Sequence, residues 1–303
     1  MRPRNKQTTL RVRESCILMD FLSRHFSGMS RTSMKGLLRN GNICVNGHPE
    51  TKYNLRLDPG DVVLLNSGNV NYELRSSHLK LLYEDDYLLV IDKNEGLLSV
   101  TASATKEGLS AFSILLNYLQ KKDPQARLYV VHRLDKATSG VMMFAKTPEM
   151  QHYLRDHWKQ VISERTYMAL TEGCPEKKED TIVSYLHENR AQIMLSSHHD
   201  DGGKLSVTHY RVVRESTHYC LLRVNLETGR KNQIRVHLAE IGHPIVGDNK
   251  YGASTNPIGR LCLHAKTLAF RHPATESDLR FETPVPRKFN ALLMNDEEEP
   301  SRR

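Results

Sequence analysis

The sequence predicts an α+β protein, a large mixed, mainly antiparallel sheet domain preceded by a small N-terminal α/β domain. Three observations carry this. From Leu79 onward the chain is dominated by short apolar runs, many joined by turns too short for a helix, which favours antiparallel neighbours over a doubly wound parallel sheet. Helical periodicity there is confined to "LSAFSILLNYLQKK", "TPEMQHYLRDHWKQ" and "NQIRVHLAEIG". The front quarter differs in charge: residues 1–75 carry 12 Lys and Arg against 6 Asp and Glu, most of the net +8 of the 303-residue chain.

Composition narrows the function classes. With 39% apolar residues, the chain can build a real core in one large and one small domain. No run reaches the roughly 18 apolar residues of a membrane helix, and "MRPRNKQTTL" lacks a secretory core, so the expected location is the cytoplasm. Cys16, Cys44, Cys174, Cys220 and Cys262 are scattered without a CxxC pair, which argues against a disulfide frame or zinc site. The basic excess points to a polyanionic partner.

The front piece divides into a basic start over residues 1–12, expected to be disordered, and a compact unit over 13–66. Leu18, Phe21, Leu22 and Phe26 recur at helical spacing. A second helix starts near Ser30, with Met34, Leu37 and Leu38 on one stripe and Arg31, Lys35 and Arg39, four apart, on another face. "ICVNG" and "DVVLL" read as short strands with Asn46-Gly47 and Asp58-Pro59-Gly60 turns. On charge alone the basic face reads as a solvated surface. The order helix, "SR", basic helix, "GNICVNG", "LRLDPGDVV" resembles the small RNA-binding domain named after the fourth protein of the small ribosomal subunit, and the resemblance implies that Arg31, Lys35 and Arg39 lie against RNA phosphates.

Residues 67–78 read as a polar linker, 79–290 as the main domain, and the acidic 291–303 as a disordered tail. "LKLLYEDDYLLVIDK" reads as a hairpin around residues 84–86, followed by strands in "ARLYVVHR", "GVMMFAK", "RTYMALTEG", "TIVSYLHE", "SVTHYRVVRE" and "YCLLRVNLE". "HRLDKATS" is then a loop between two strands, a rigid place for chemistry. Its Asp135 can equally be a turn residue accepting loop amides. A metal role with His132 lacks a third ligand, and Ser139 lacks the strand-turn-helix elbow of an acyl-transfer nucleophile.

Several segments in order settle the preference. "HRLDKATSG" resembles the signature of RluA-type pseudouridine synthases; "YLLVIDKNEGLLSV" resembles the family's first motif, "ERTYMAL" its tyrosine segment, "ETGRKNQIRVHLAEIGHPIVGDNKYG" its third motif, and "LCLHAKTLAFRHP" its closing strand. The resemblance spans about Leu79 to Phe289. It implies that Asp135 is catalytic, that Tyr167 stacks on uracil, that Arg235 forms an ion pair with Asp135, and that Arg133 enters the space of the flipped uridine. His132 is expected to be structural, bonding loop backbone, and Asn232 is read as a helix cap. Asn94, Arg165 and Lys231-Asn232 depart from the usual family residues, at positions expected to bear on the choice of RNA.

Uridine to pseudouridine is an isomerisation, so the resemblance implies no redox cofactor, nucleotide or metal. A carboxylate can serve as nucleophile or as base, and both roles remain open. Buried, it needs a nearby cation. The expected partner is structured RNA, large-subunit ribosomal RNA being favoured and transfer RNA the alternative, with no obligate protein partner. The rival reading is a non-catalytic RNA-binding or ribosome-assembly factor on the same fold.

Overall fold

The computed structural model describes residues 7–26, 28–39, 41–66, 74–101 and 109–298. Contacts divide the chain into two compact units, Met1–Leu74 with Leu116–Arg127 and Arg75–Leu115 with Leu128–Arg303.

The first unit contains β1 (Gln7–Arg11), β2 (Cys16–Ile17), α1 (Leu18–His25), α2 (Arg31–Arg39), β3 (Ile43–Val45), β4 (His48–Pro49), β5 (Arg56–Leu57) and β6 (Val62–Asn66). Four strands form a sheet in the order β1-β6-β3-β4, and β2 pairs with β5. Ser30 caps α2, its Oγ accepting from the Ser33 amide at 3.1 Å. Met34 and Leu38 of α2 share a core with Leu18, Leu22 and Ile43, while Arg31 and Lys35 are exposed. The expectation of a disordered start is corrected for residues 7–11, which pair antiparallel with β6 while Leu10 packs on the core. Residues 1–6 lie outside the described residues.

Thereafter come β7 (Leu79–Glu84), β8 (Leu88–Lys93), α3 (Ala111–Lys122), β9 (Tyr129–Val130), β10 (Ser139–Ala145), α4 (Pro148–Asp156), α5 (Trp158–Val161), β11 (Ile162–Glu172), β12 (Glu179–Glu188), β13 (Met194–Ser197), β14 (Lys204–Glu215), β15 (Tyr219–Leu226), α6 (Gln233–Glu240), β16 (Leu263–Arg271), β17 (Asp278–Glu282) and α7 (Arg287–Glu298). An 11-stranded sheet runs β13-β12-β14-β15-β11-β16-β10-β8-β7, with β17 beside β16 and β9 beside β10. Its pairings are antiparallel except β10 with β16. Every residue of "SGVMMFA" in β10 is buried, as a central strand requires, whereas β12 alternates.

Three expectations change here. The strand before the signature loop is only Tyr129–Val130. The segment "TPEMQHYLRDHWKQ" is two helices, because His157 leaves helical geometry (φ −109°, ψ 20°) between α4 and α5. The acidic tail is ordered through α7: Phe289 and Leu293, four apart, are fully buried. Asp296 also accepts from Ser216 Oγ at 2.6 Å and from the His218 amide at 2.7 Å. Residues 299–303 lie outside the described residues.

The parallel contact explains one glycine of the signature. Gly140 has φ +115°, and a Cβ there would lie 2.1 Å from the Ala265 carbonyl oxygen, so no side chain fits between β10 and β16. Gly140→Ala should lower unfolding free energy by about 4 kcal/mol or more, read from urea denaturation, since both strain and a backbone clash must be relieved. An unchanged midpoint would contradict the close approach.

Candidate active site

The loop from His132 to Thr138 leaves β9, enters β10, and is anchored along its length. Ser99 Oγ accepts from the Leu134 amide at 3.1 Å and donates to the Leu134 carbonyl at 2.6 Å. The Gly96 amide donates to the Lys136 carbonyl at 2.8 Å, and Thr138 closes a turn onto the Asp135 carbonyl at 3.1 Å. Lys93 is fully buried beneath, donating to the Leu97 carbonyl at 2.8 Å and to the Lys136 carbonyl at 3.4 Å. Burial pushes its ammonium down to about 8, against the pull of the Asp135 and Glu95 charges. The segment from Lys93 to Ser99 therefore works as a backbone buttress.

Asp135 lies in a cavity of about 320 Å³ whose lining also includes Arg133, Trp158, Tyr167, Asn232 and Arg235. Its Oδ2 accepts from Asn232 Nδ2 at 2.6 Å and from an Arg235 nitrogen at 3.5 Å. Oδ1 has no donor among the described residues, which leaves it open to a substrate. Arg235 belongs more closely to a second carboxylate: Nε and the other terminal nitrogen both reach Asp248 at 2.7 Å, a two-pronged pair with Asp248 only 1% exposed. Burial opposes the charge of Arg235, but the hydrogen bonds and charge of Asp248, then Asp135, overcome it and keep the guanidinium more basic than usual. The Tyr251 ring lies under that guanidinium, 4.9 Å from its centroid.

The structure thus brings together Asp135, Tyr167, Arg235 and Arg133. Tyr167 is a buried β11 residue. Arg133 is exposed on the loop and makes no hydrogen bond or ion pair among the described residues. Arg31, Lys35 and Arg39 occupy α2 in the other unit. Asn232 needs correcting. It precedes α6 in the left-handed conformation (φ 54°, ψ 17°), and its side chain caps nothing, because its amide is committed to Asp135. This departure from the family pattern touches the carboxylate directly. His132 is structural, but it accepts from the Met143 amide of β10 at 3.1 Å and not from the loop. Burial and the Arg165 charge hold its pKa down at about 3.

Asp248 and Lys93 were not singled out from the sequence. Both lie inside the quoted motif segments, but no periodicity marks a carboxylate that meets an arginine 13 positions earlier. All five cysteines are free, and among the described residues no group of three or more His, Cys, Asp or Glu is placed to hold a metal ion.

Residues 87–240, about half the chain, match the family model described as RNA pseudouridylate synthase. The chain belongs to that family. Residues 18–63 match the S4 domain. Among its relatives, an uncharacterized RNA pseudouridine synthase of Chlorobaculum parvum is 32% identical over 300 residues, 90% of this chain and 91% of the relative. The ribosomal large subunit pseudouridine synthase D of Nitrosomonas europaea is 37% identical over 238 residues, 74% of this chain and 67% of the relative. The solved structure of human RNA pseudouridylate synthase domain containing 4 superposes with a TM-score of 0.57 at 26% identity, covering 71% of this chain and 91% of that one. The synthase is accordingly an isomerase that acts without adding or removing atoms from RNA.

Removing Asp248 strands the Arg235 charge in a buried place, so Asp248→Ala should cost about 3 kcal/mol of stability in chemical denaturation and lower turnover as well. Wild-type stability would show that the fork carries no net weight.

Proposed function

We propose that this synthase isomerises particular uridines of large-subunit ribosomal RNA in the cytoplasm, with Asp135 as the catalytic group. The observation that carries the reading is a carboxylate inside a pocket, tethered through Oδ2 alone and bare at Oδ1. In the reaction the C1′–N1 bond breaks, the base turns over, C5 joins C1′, and the C5 proton leaves as N1 gains one. Oδ1 is the oxygen placed to attack C1′ or to take a proton, while Arg235 and Asn232 hold the negative charge through Oδ2. Tyr167 offers its ring to the uracil. Arg133, unpaired at the pocket, fills the gap left when the uridine unstacks, a step costing a few kcal/mol.

The substrate assignment draws on the relatives named for the large ribosomal subunit and on the S4 unit. A structured RNA gives α2 a phosphate surface, and Arg31 and Lys35 stand exposed on it with Arg39 one turn further along.

Tritium release from RNA labelled at C5 of uridine tests the chemistry. Asp135→Asn preserves shape and an oxygen acceptor but loses the carboxylate, so release should fall at least about a hundredfold while RNA affinity is retained. Turnover near wild type in that variant would refute the assignment, and activity on transfer RNA but not on large-subunit RNA would overturn the substrate.

Replacing Arg31, Lys35 and Arg39 together by Ala should raise KM for the large-subunit transcript more than it lowers kcat, and should flatten the salt dependence of binding. Phosphate contacts remote from the reacting base act alike on ground and transition states. An unchanged salt slope would return that face to ordinary solvated surface.

A further inference from the structure

Beyond the pocket that holds Asp135, two more concavities open from the same wall. One is lined by Trp158, Lys159, Glu164, Arg165 and Asn225, the other by Arg155, Trp158, Lys159, Arg165 and Arg230. Trp158 and Arg165 line all three, and Arg230 is common to the pocket and the second concavity, so the three form one groove. Trp158 stands at the start of the short helix α5, where the break at His157 turns the chain out of α4.

The groove's chemistry is that of a single-stranded nucleic-acid track. Its planar surfaces are the indole of Trp158 and the guanidinium of Arg165, the latter 5.9 Å from the ring centroids of both Trp158 and Tyr167. Arg165 is also short of partners: Nε is buried without one among the described residues, and a terminal nitrogen reaches only the Thr228 carbonyl, at 3.3 Å. Gly229 leaves it room, since a Cβ there would lie 3.0 Å from that nitrogen. The cations outnumber the free anions. Of the acidic residues lining the groove, Glu164 is bound by Arg223 and Arg280 and Glu227 is hydrogen-bonded to His209, while Asp156 is exposed without a basic partner among the described residues. Against these stand Arg165, Arg230 and the exposed Arg155 and Lys159, the last two with no acidic partner among the described residues.

We propose that this groove receives a nucleotide adjacent to the target uridine, its base stacked on Trp158 and Arg165 and its phosphates held by Arg155, Lys159 and Arg230. The proposal rests on the synthase reading, because a uridine lifted into the pocket draws its neighbours across the pocket's rim. Aromatic stacking accepts any base, so the groove fixes the strand's path and tightens binding without reading sequence. Arg165, where family members commonly carry Lys, adds a flat surface that an ammonium lacks.

Trp158 is the single tryptophan of the chain, so its fluorescence reports on the groove directly. A short single-stranded oligouridylate should quench the emission of the full-length protein saturably, and Trp158→Ala should raise KM for the ribosomal transcript by about tenfold, with a smaller change in kcat. Trp158→Phe should recover much of that loss. Because Trp158 also packs beside His132, the exposed pair Arg155→Ala/Lys159→Ala supplies an independent arm. Two lost phosphate contacts should reduce the salt slope of oligouridylate binding by about 1.4.

Emission unmoved by saturating oligouridylate, or an unchanged slope in the double variant, overturns the groove. So does quenching by oligoglutamate but not by RNA, which would mark a protein-binding surface. Tritium release by the wild-type protein is read separately: active enzyme with a silent tryptophan refutes the groove alone, whereas no release from any RNA refutes the synthase reading beneath it.

Discussion

A carboxylate can work inside a pocket only if its charge is balanced there, and in this protein the cation in direct contact with Asp135 is one guanidinium. Arg235 faces two carboxylates but treats them unequally, forking onto Asp248 at 2.7 Å and reaching Asp135 at 3.5 Å. The close pair fixes the arginine. The looser contact gives Asp135 a positive neighbour without saturating it. If Asp135 took the fork, both its oxygens would be occupied by donors and neither would face a substrate.

The same economy governs the backbone around Asp135. A loop free to move would lose the geometry that makes a nearby carboxylate effective, and misplacement by an ångström is costly. Here the restraints come from the turn after β8, where Lys93, Gly96 and Ser99 bond main-chain atoms of residues 134 and 136. A buried lysine is an expensive anchor, since burial disfavours its ammonium. The Asp135 and Glu95 charges offset part of that cost. Gly140 completes the frame by letting β10 meet β16 backbone to backbone.

Much of this was legible in the sequence, for identifiable reasons. Strand runs such as "GVMMFA" and helix stripes such as Met34 with Leu38 are local patterns, and the structure places them where periodicity does. That Asp135, Tyr167, Arg133 and Arg235 line one pocket was foreseeable because each sits in a recognisable segment. What escaped was contact between segments. Asn232 looked like a cap because it precedes a helix, and only the fold shows Asp135, 97 positions away, taking its amide. The tail looked disordered because its acids are consecutive, yet Asp296 answers the turn between β14 and β15. Charge runs are ambiguous until their partners are known.

An isomerase acting on RNA faces two demands that pull apart. Uridine is common, so selection must come from the shape and path of a long polyanion, whose contacts are strong, salt-sensitive and indifferent to the reacting base. The reaction needs a small enclosed site, where a few charges act strongly because water is displaced. The distribution of residues answers both. Arg155 and Lys159 beside Trp158 are exposed without an acidic partner among the described residues, and on α2 Lys35 lies over the Tyr53 ring while Arg31 pairs loosely with Asp20 at 3.4 Å, whereas the cation at Asp135 is committed to carboxylates. An arginine locked between Asp248 and Asp135 cannot wander onto a phosphate, so contacts made by a polyanion on the outer surfaces would leave the charge beside Asp135 undisturbed.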